Sequence, residues 1–415
     1  MKKVLIISPH FPPVNAADMH RVRMCLPYLE KYNWKAHIVT VDLNFVEGFF
    51  DEILNDSIPI GTTVTYVKAL NPKWTRKLGL GSLSIRSVPF YFKAVNQILK
   101  KENFDLIFFS TTMFHVGVLG AYWKRTFKIP IVFDLQDPWR NDFYLSKPKG
   151  ERPNKFYFSY ILLKWTEKIG LPKADGIIAV SDAYLTEAEN RYPRLKFIPK
   201  KMIPFGVSKI DFTLAKDNLS FSLKKGKINV VYIGAITPSF IPIISAFFQE
   251  LIKRHFEFDK YHFYFLGTSY AKVNSKGLIQ QLVENLGLTN FVTEQQDRLG
   301  YFTTLATLKI ADILFIPGST DVNYNASKVY NSIVSGTPIF SIFSSNSEVK
   351  KIIEFSEAGE VISFESEFDL KNNINSEIDK FLKILDKNYN RIIPEEITAE
   401  SRTRELLDFF NVVIK

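Results

Sequence analysis

Apolar residues along this chain fall into short runs separated by stretches of helical spacing, and the alternation occurs twice. In the first half, runs of strand length lie at 4–7, 36–41, 63–67, 106–109, 131–133 and 176–180, with helical patterns over about 18–32, 90–101 and 116–126. The second half restarts at 228–229, with runs at 230–233, 261–266, 292, 313–316 and 339–343. This is the β-α-β rhythm of a doubly wound parallel sheet. The expected class is α/β, with two such sheets in tandem and a cleft between them. Pro, Gly and charge cluster at 199–207 and again at Lys224-Lys225-Gly226-Lys227, where the rhythm lapses. The expected division is a first domain at 1–205, a linker at 206–227, a second domain at 228–395 and a last segment at 396–415. Its helix has Leu406, Leu407, Phe409 and Phe410 to bury and is expected to cross back onto the first domain.

One segment breaks the pattern informatively. In Asn325-Ala326-Ser327-Lys328-Val329-Tyr330-Asn331-Ser332-Ile333-Val334-Ser335-Gly336-Thr337-Pro338, polar groups interrupt a helical stripe formed by Val329, Ile333 and Val334. Ser327 is placed to cap the helix, and Gly336 and Pro338 to end it. Lys328 and Asn331 then lie one turn apart on one face. Open α/β sheets bind nucleotides where a helix is entered from the carboxyl end of a strand, so this segment reads as the floor of a ligand site. The plainer alternative is a core helix with Lys and Asn on its wet face.

Composition narrows the class. With 415 residues, 46% apolar and 23% charged, the chain has material for two cores. Its single cysteine, Cys25, excludes an internal disulfide framework and suits a reducing compartment. The apolar start at 4–7 is too short for a signal peptide, and the near-apolar stretches 106–123 and 228–249 are interrupted by polar residues, Gly and Pro. The net charge of +10 is spread along the chain without a nucleic-acid module, so no nucleic-acid partner is expected. Basic residues do alternate with aromatics over 72–93 and 139–165, a composition that suits an anionic membrane surface.

Candidate chemistry sits in loops that follow strands. Ser8 to Arg21, containing Asn15, Ala16, Ala17 and Arg21, leads from the first strand into a helix, where N–H groups favour anionic or hydroxylated ligands. It lacks the G-x-G-x-x-G spacing, and no P-loop occurs. Asp134-Leu135-Gln136-Asp137-Pro138-Trp139-Arg140-Asn141-Asp142 concentrates charge and aromatic rings after a strand; Asp137 is suited to accept a proton or bind a hydroxyl. His115 opens a helix beside Thr111 and Thr112. In the second half, Gly234 with Thr237 and Gly267 with Thr268 follow strands, where Gly admits close phosphate approach and Thr supplies a hydroxyl. The sequence has no Asp-x-Asp triplet, His pair or carboxylate cluster, so no protein-held metal is expected.

Together these residues resemble a nucleotide-sugar-dependent glycosyltransferase of the GT-B fold, in the family-4-like group that builds bacterial surface polysaccharides such as lipopolysaccharide and capsule. Phe11-Pro12-Pro13 with Arg21 resembles the group's first loop. Asp134-Leu135-Gln136-Asp137-Pro138-Trp139 resembles its Asp-Leu-Arg-Asp-Pro-Trp signature, Ala174-Asp175-Gly176 through Val180-Ser181 its "ADxxxxVS" strand, and Ile203-Pro204-Phe205-Gly206 its "IPNG" segment. Ser327-Lys328-Val329-Tyr330-Asn331 with Gly336-Thr337-Pro338 resembles "SKLFEYLAAGxP".

The resemblance implies two Rossmann-like domains facing across a cleft and a retaining, metal-independent transfer with no cofactor beyond the donor. It implies a nucleotide sugar as one partner and a lipid-linked or oligosaccharide acceptor as the other, at a cytoplasmic site peripheral to the inner face of the cytoplasmic membrane. It assigns Asp137 and His115 to catalysis. To substrate binding it assigns Asn15, Ala16, Ala17, Arg21, Arg140, Gly234, Thr237, Gly267, Thr268, Ser327, Lys328, Tyr330 and Asn331. Four departures stand out: Asn331 replaces a Glu that holds ribose hydroxyls, Gln136 replaces an Arg, Ala16 and Ala17 replace the first-loop glycines, and the diphosphate-gripping Arg and Lys are missing after Gly234. These departures motivate an alternative, a catalytically silent relative that binds sugar or a partner. A nucleotide-sugar epimerase on the same fold is a third reading, marked by carboxylates clustered in the cleft.

Overall fold

The protein, described by a computed structural model over residues 1–77, 79–142, 145, 148, 149, 152, 156–216, 221–269, 276–319 and 328–415, forms two compact units. The first comprises Met1–Ser208 with Glu396–Lys415, and the second Lys209–Glu395.

The first unit is built on seven parallel strands: β1 (Lys2–Ile7), β2 (Trp34–Val41), β3 (Thr63–Val67), β4 (Leu106–Ser110), β5 (Ile131–Leu135), β6 (Gly176–Ala179) and β7 (Lys200–Met202). Their order is β3-β2-β1-β4-β5-β6-β7. Both sheet faces are covered, so successive residues of β1 enter different cores. Leu5 and Ile7 join Phe109, Trp123 and Phe133, whereas Val4 and Ile6 join Trp34, Phe108 and Phe410. Phe410 belongs to the last helix, Ala399–Val413, and stands edge-on to Trp34 at 5.6 Å and Phe108 at 5.0 Å. The chain enters that helix through a bridge in which Val207 N–H donates to Ile397 O and Ala399 N–H to Val207 O, each at 2.8 Å. Gly206 is required beside it, because a Cβ there would lie 2.7 Å from Ala399 Cα.

The second unit has six parallel strands: β8 (Ile228–Ile233), β9 (Tyr261–Leu266), β10 (Val292–Gln295), β11 (Ile313–Pro317), β12 (Ile339–Ser344) and β13 (Gly359–Phe364). They run in the order β10-β9-β8-β11-β12-β13. Phenylalanine dominates its core: Phe247 packs against Phe263, Phe315, Phe340 and Phe381.

The α/β class with two doubly wound sheets therefore stands. Several details differ from the sequence reading. The pattern over 18–32 is an α-helix only at Met19–Cys25, after which Pro27 and short 3₁₀ turns carry the chain to Tyr32. The helix expected from 90 begins at Leu83 and tolerates Pro89. Strands β7 and β13 are additional. Asp134 and Leu135 extend β5 rather than open the loop after it.

In each sheet the chain reverses its direction of growth beside the first strand, between β1 and β4 in one unit and between β8 and β11 in the other. The loops leaving those strand pairs diverge, and the crevice they leave is where such sheets take ligands.

Candidate functional sites at the two switch points

At the first switch point, the loop after β1 and the turn after β4 converge on Asp18, which is buried. One carboxylate oxygen lies 2.9 Å from His10 Nδ1. The other accepts from the Thr111 hydroxyl at 2.9 Å, Thr112 N–H at 3.2 Å and the Thr112 hydroxyl at 3.3 Å. Burial alone would push this carboxyl up, but the His10 ring, the Thr112 N–H and the Thr111 hydroxyl outweigh it and hold it below the usual range.

Behind Asp18 lies a second buried network. Arg21 Nε stands 2.7 Å from Asp134 Oδ2, and its Nη2 donates to Ile203 O at 2.7 Å, while the guanidinium covers the Phe205 ring at 4.9 Å. Gln136 Nε2 donates to Asp134 Oδ2 at 2.7 Å, Ser110 Oγ at 3.0 Å and Asp18 O at 3.2 Å. Arg21, expected to bind substrate, has its guanidinium engaged by Asp134, the Ile203 carbonyl and the Phe205 ring, which ties 203–205 to the sheet. Gln136 serves the same frame, so the Gln at a position where an Arg is usual has a structural use here.

The loop after β5 divides its residues between core and surface. Trp139 turns inward, stacked on Phe114 at 5.2 Å, and Gly117 is required beneath it because a Cβ would lie 2.4 Å from the indole. Arg140 faces Glu167 at 3.8 Å, Asp142 at 3.1 Å and the Tyr160 ring, within a network completed by Arg191 and Tyr192. Its charge is thus engaged inside the protein. Asp137 is exposed at the strand's end; the protein packed around it and the charge of Asp18 raise its carboxyl. His115 is buried in the turn Phe114–Gly117, and burial brings it down to about 4, so it is neutral at pH 7. Asn15, Ala16 and Ala17 form a partly exposed turn fixed by Asn15 N–H to Phe49 O at 2.8 Å.

At the second switch point, Lys328 dominates. Its ammonium lies over the Tyr232 ring at 5.4 Å and against Gly234, where an added Cβ would stand 1.8 Å from Nζ. Among the described residues no carboxylate pairs with it. Burial, reinforced by the charge of Arg298, lowers it to about 8. A partly desolvated ammonium is costly, and an anionic ligand lowers the cost. Asn331, one turn on, has a buried Oδ1 with no partner among the described residues. It lines a cavity of about 50 Å³ with Lys328, Tyr232, Thr304 and Ser332. That is room for a water molecule or a ligand hydroxyl.

The neighbouring hydroxyls are unequal. Thr237 and Ser239 share a hydrogen bond at 2.9 Å, and Ser319 donates to Ser239 at 2.8 Å, joining the loops after β8 and β11. Thr268 is engaged elsewhere, donating to Glu294 at 2.6 Å, and Gly267 N–H is engaged with Gln295 O. The Gly234 and Ile236 N–H groups donate to Leu266 O and Thr268 O, so neither is free for a phosphate. Tyr330 is half-buried. Ser327 lies outside the described residues; the helix Val329–Ser335 has Lys328 at its cap position, with no side-chain cap bond.

Two groups of interest were not singled out in the sequence. His10 and Asp18 meet across an irregular loop, so no periodic spacing announces them. Arg298 follows β10 and becomes a neighbour of Lys328 only through the sheet. Among the described residues no cluster of three His, Cys, Asp or Glu side chains is placed to hold a metal ion.

Comparisons with known proteins follow this geometry. The sequence profile of Glycosyltransferase Family 4 matches residues 63–208, about a third of the chain and less than the resemblance above had suggested. Among curated proteins none matches in sequence. The fold is similar to that of Anabaena HepE in complex with UDP-glucose, at TM-score 0.60 and 16% identity over 99% of this chain and 100% of that one. Sucrose-phosphate synthase from Thermosynechococcus elongatus gives 0.60 and 16% over 100% and 99%. The UDP-GlcNAc 2-epimerase of Methanocaldococcus jannaschii gives 0.54 and 15% over 99% and 100%. Likeness at such identities concerns the fold, and the epimerase makes plain that one fold serves more than one reaction.

Proposed function

We propose that the chain is a family-4-like glycosyltransferase of the GT-B fold, a reading supported by the profile match over 63–208 and by the shared fold. A sugar passes from a nucleotide diphosphate sugar, bound by the second unit, to a hydroxyl of a lipid-linked or oligosaccharide acceptor received by the first, in surface polysaccharide synthesis. The observation that carries this reading is Lys328: a half-buried cation with no counter-ion among the described residues, resting on a glycine at a sheet switch point. The UDP-glucose complex of HepE supports a nucleotide diphosphate as its partner.

When the bond between the sugar and the diphosphate breaks, negative charge grows on the leaving oxygen. A preorganised cation in a partly water-excluded site stabilises that charge without reorganisation, which is the term Lys328 supplies, with Arg298 adding field. Asn331 Oδ1 accepts a donor hydroxyl, one hydrogen bond where a carboxylate would make a charge-assisted pair. On the first unit, Asp137 binds an acceptor hydroxyl. The family resemblance implies retention of the anomeric configuration without a metal or a protein nucleophile, and the configuration of the product tests that directly.

The acceptor side also carries features of a lipid surface. The helix Phe156–Gly170 exposes Tyr157, Phe158, Ile161, Trp165 and Ile169, with Lys164 and Lys168 between them. Ile169 borders a groove of about 1020 Å³ beside Arg125, Lys128 and Lys173, which make no ion pair among the described residues. No helix among the described residues is long and apolar enough to cross a membrane. This combination supports peripheral binding to anionic lipid.

Lys328→Ala should abolish transfer and donor binding while leaving the thermal midpoint of the unliganded protein near that of the parent. Undiminished turnover would overturn the assignment. A second reading, a silent sugar-binding relative, is favoured by Asn331 standing where the group has Glu; measurable nucleotide-sugar binding with no transfer or hydrolysis of any donor would establish it.

A further inference from the structure

The helix Val329–Ser335 carries Asn331 and begins at Lys328, yet its far end is held by a side chain from much later in the chain. We infer that Arg391 is a positioning residue of the second unit's ligand site: by binding the carbonyls at the carboxyl end of this helix, it fixes where Lys328 and Asn331 stand. The inference rests on the reading that Lys328 receives a diphosphate.

Seven residues make too short a helix to be stable by itself. At its start, Lys328 lends no side-chain cap bond, and the Ser332 hydroxyl donates to Lys328 O at 3.2 Å. At its other end, the last carbonyls of a helix have no partner within it. Arg391 supplies one. Nη1 donates to Ile333 O at 2.9 Å and reaches Ser332 O at 3.5 Å, while Nη2 donates to Thr337 O at 2.8 Å and Ala358 O at 2.9 Å. One planar group thus joins the helix end, the turn after Gly336 and the residue that leads into β13. Positive charge is also what the carboxyl end of a helix favours. No carboxylate pairs with Arg391 among the described residues, so these carbonyls are what meet its charge.

The segment that bears Arg391 is itself fixed to the sheet edge. Lys387 Nζ donates to Glu360 Oε1 at 2.7 Å, the Tyr389 hydroxyl donates to the same oxygen at 3.3 Å, and Ile392 N–H donates to Ser356 O at 2.9 Å. The helix also buries Val329 and Ile333. Apolar attraction is non-directional, whereas a hydrogen bond weakens steeply off its line, so the four carbonyls set the helix's place more finely than packing does. Little displacement is tolerable, because the Lys328 ammonium has to meet the Tyr232 ring and the gap at Gly234 together.

The test is calorimetric affinity between pH 7 and 10 for whichever of UDP, GDP, dTDP and ADP raises the thermal midpoint of the parent most. In the parent, affinity should fall as Lys328 loses its charge at about 8. In Arg391→Ala it should be roughly tenfold weaker or more. Its fall should come about one pH unit higher, because an ammonium released into water titrates nearer the ordinary lysine value. Arg391→Lys keeps the charge but not the planar fork; it should lie between the two, and it carries the test if Arg391→Ala does not fold. Phe381→Leu, a core change against Phe247 and Phe340, should lower the thermal midpoint and bind as the parent does. Parent-like affinity in Arg391→Ala, weaker affinity with an unmoved pH midpoint, or an equal loss in Phe381→Leu would overturn the inference and leave the diphosphate reading standing. A parent stabilised by none of the four nucleotides would overturn that reading, and the inference with it.

Discussion

Lys328 is the residue on which the proposed donor site turns, and its titration gives a direct handle. Burial, with help from Arg298, brings it to about 8, so it is largely charged at pH 7 and largely neutral above pH 9. The charged form is the one the proposal assigns to a diphosphate. Affinity for UDP should therefore fall as pH rises through 8, roughly tenfold for each 1.4 kcal/mol of lost attraction. Calorimetric titration from pH 6.5 to 9.5 checks this, with Lys328→Gln as the control that should bind weakly and flatten the profile. An equally steep profile in that variant would point to another group. Lys328 and Asn331 were legible in the sequence because helical spacing alone puts them on one face. The internal partners of Arg21, Asp134 and the carbonyls of 203 and 204, were not legible because they lie far along the chain and share no local spacing with it. His10 escaped notice for the same reason: what distinguishes it is Asp18 held by Thr111 and Thr112, a contact made only when β1 and β4 pair.

The turn after β8 shows how an element fixes a side chain it does not contain. Gly234 adopts φ +153°, which side-chain-bearing residues rarely do, and its missing Cβ is the space Lys328 occupies. Gly234→Ala should cost about 1 kcal/mol of stability and lower UDP affinity by at least roughly tenfold through displacement of the ammonium. Gly226→Ala is the matched control: φ is +72° but nothing lies within 4 Å, so stability should fall similarly and affinity not at all. Thermal melts with and without UDP separate the two, and equal UDP affinity in both variants would refute the packing argument. Element by element, the buried strands were the readable ones. β7 is a short run of Lys-Lys-Met with its side chains largely in solvent, and β13, at the sheet edge, has only the pair Val361-Ile362 between polar residues, so neither presents a long apolar run. In the loop after β5, composition could not tell that Trp139 turns into the core while Asp137 faces water. Which way a loop side chain points is decided by the hole that receives it, here the one left by Gly117.

At the scale of the whole molecule, each unit brings its candidate chemistry to its own switch point, an outcome of strand order rather than of any single motif. The exposed aromatic and basic face of the first unit gives a further prediction. The protein should sediment with vesicles containing phosphatidylglycerol at low salt and release at high salt, while ignoring neutral vesicles. Ile161→Ser with Trp165→Ser should weaken that binding several-fold, and sedimentation with neither vesicle at either salt concentration would contradict it. The central claim, however, is that the second unit holds a nucleotide diphosphate sugar on Lys328. Its most direct test is the thermal midpoint of the parent and of Lys328→Ala against UDP-, GDP-, dTDP-, ADP- and CMP-sugars. Binding to the native state alone raises stability by about 2.7 kcal/mol at a hundred times Kd. The account predicts a shift with sugars of one nucleotide and its loss in Lys328→Ala. No shift with any of the five, or the same shift in both proteins, would contradict it.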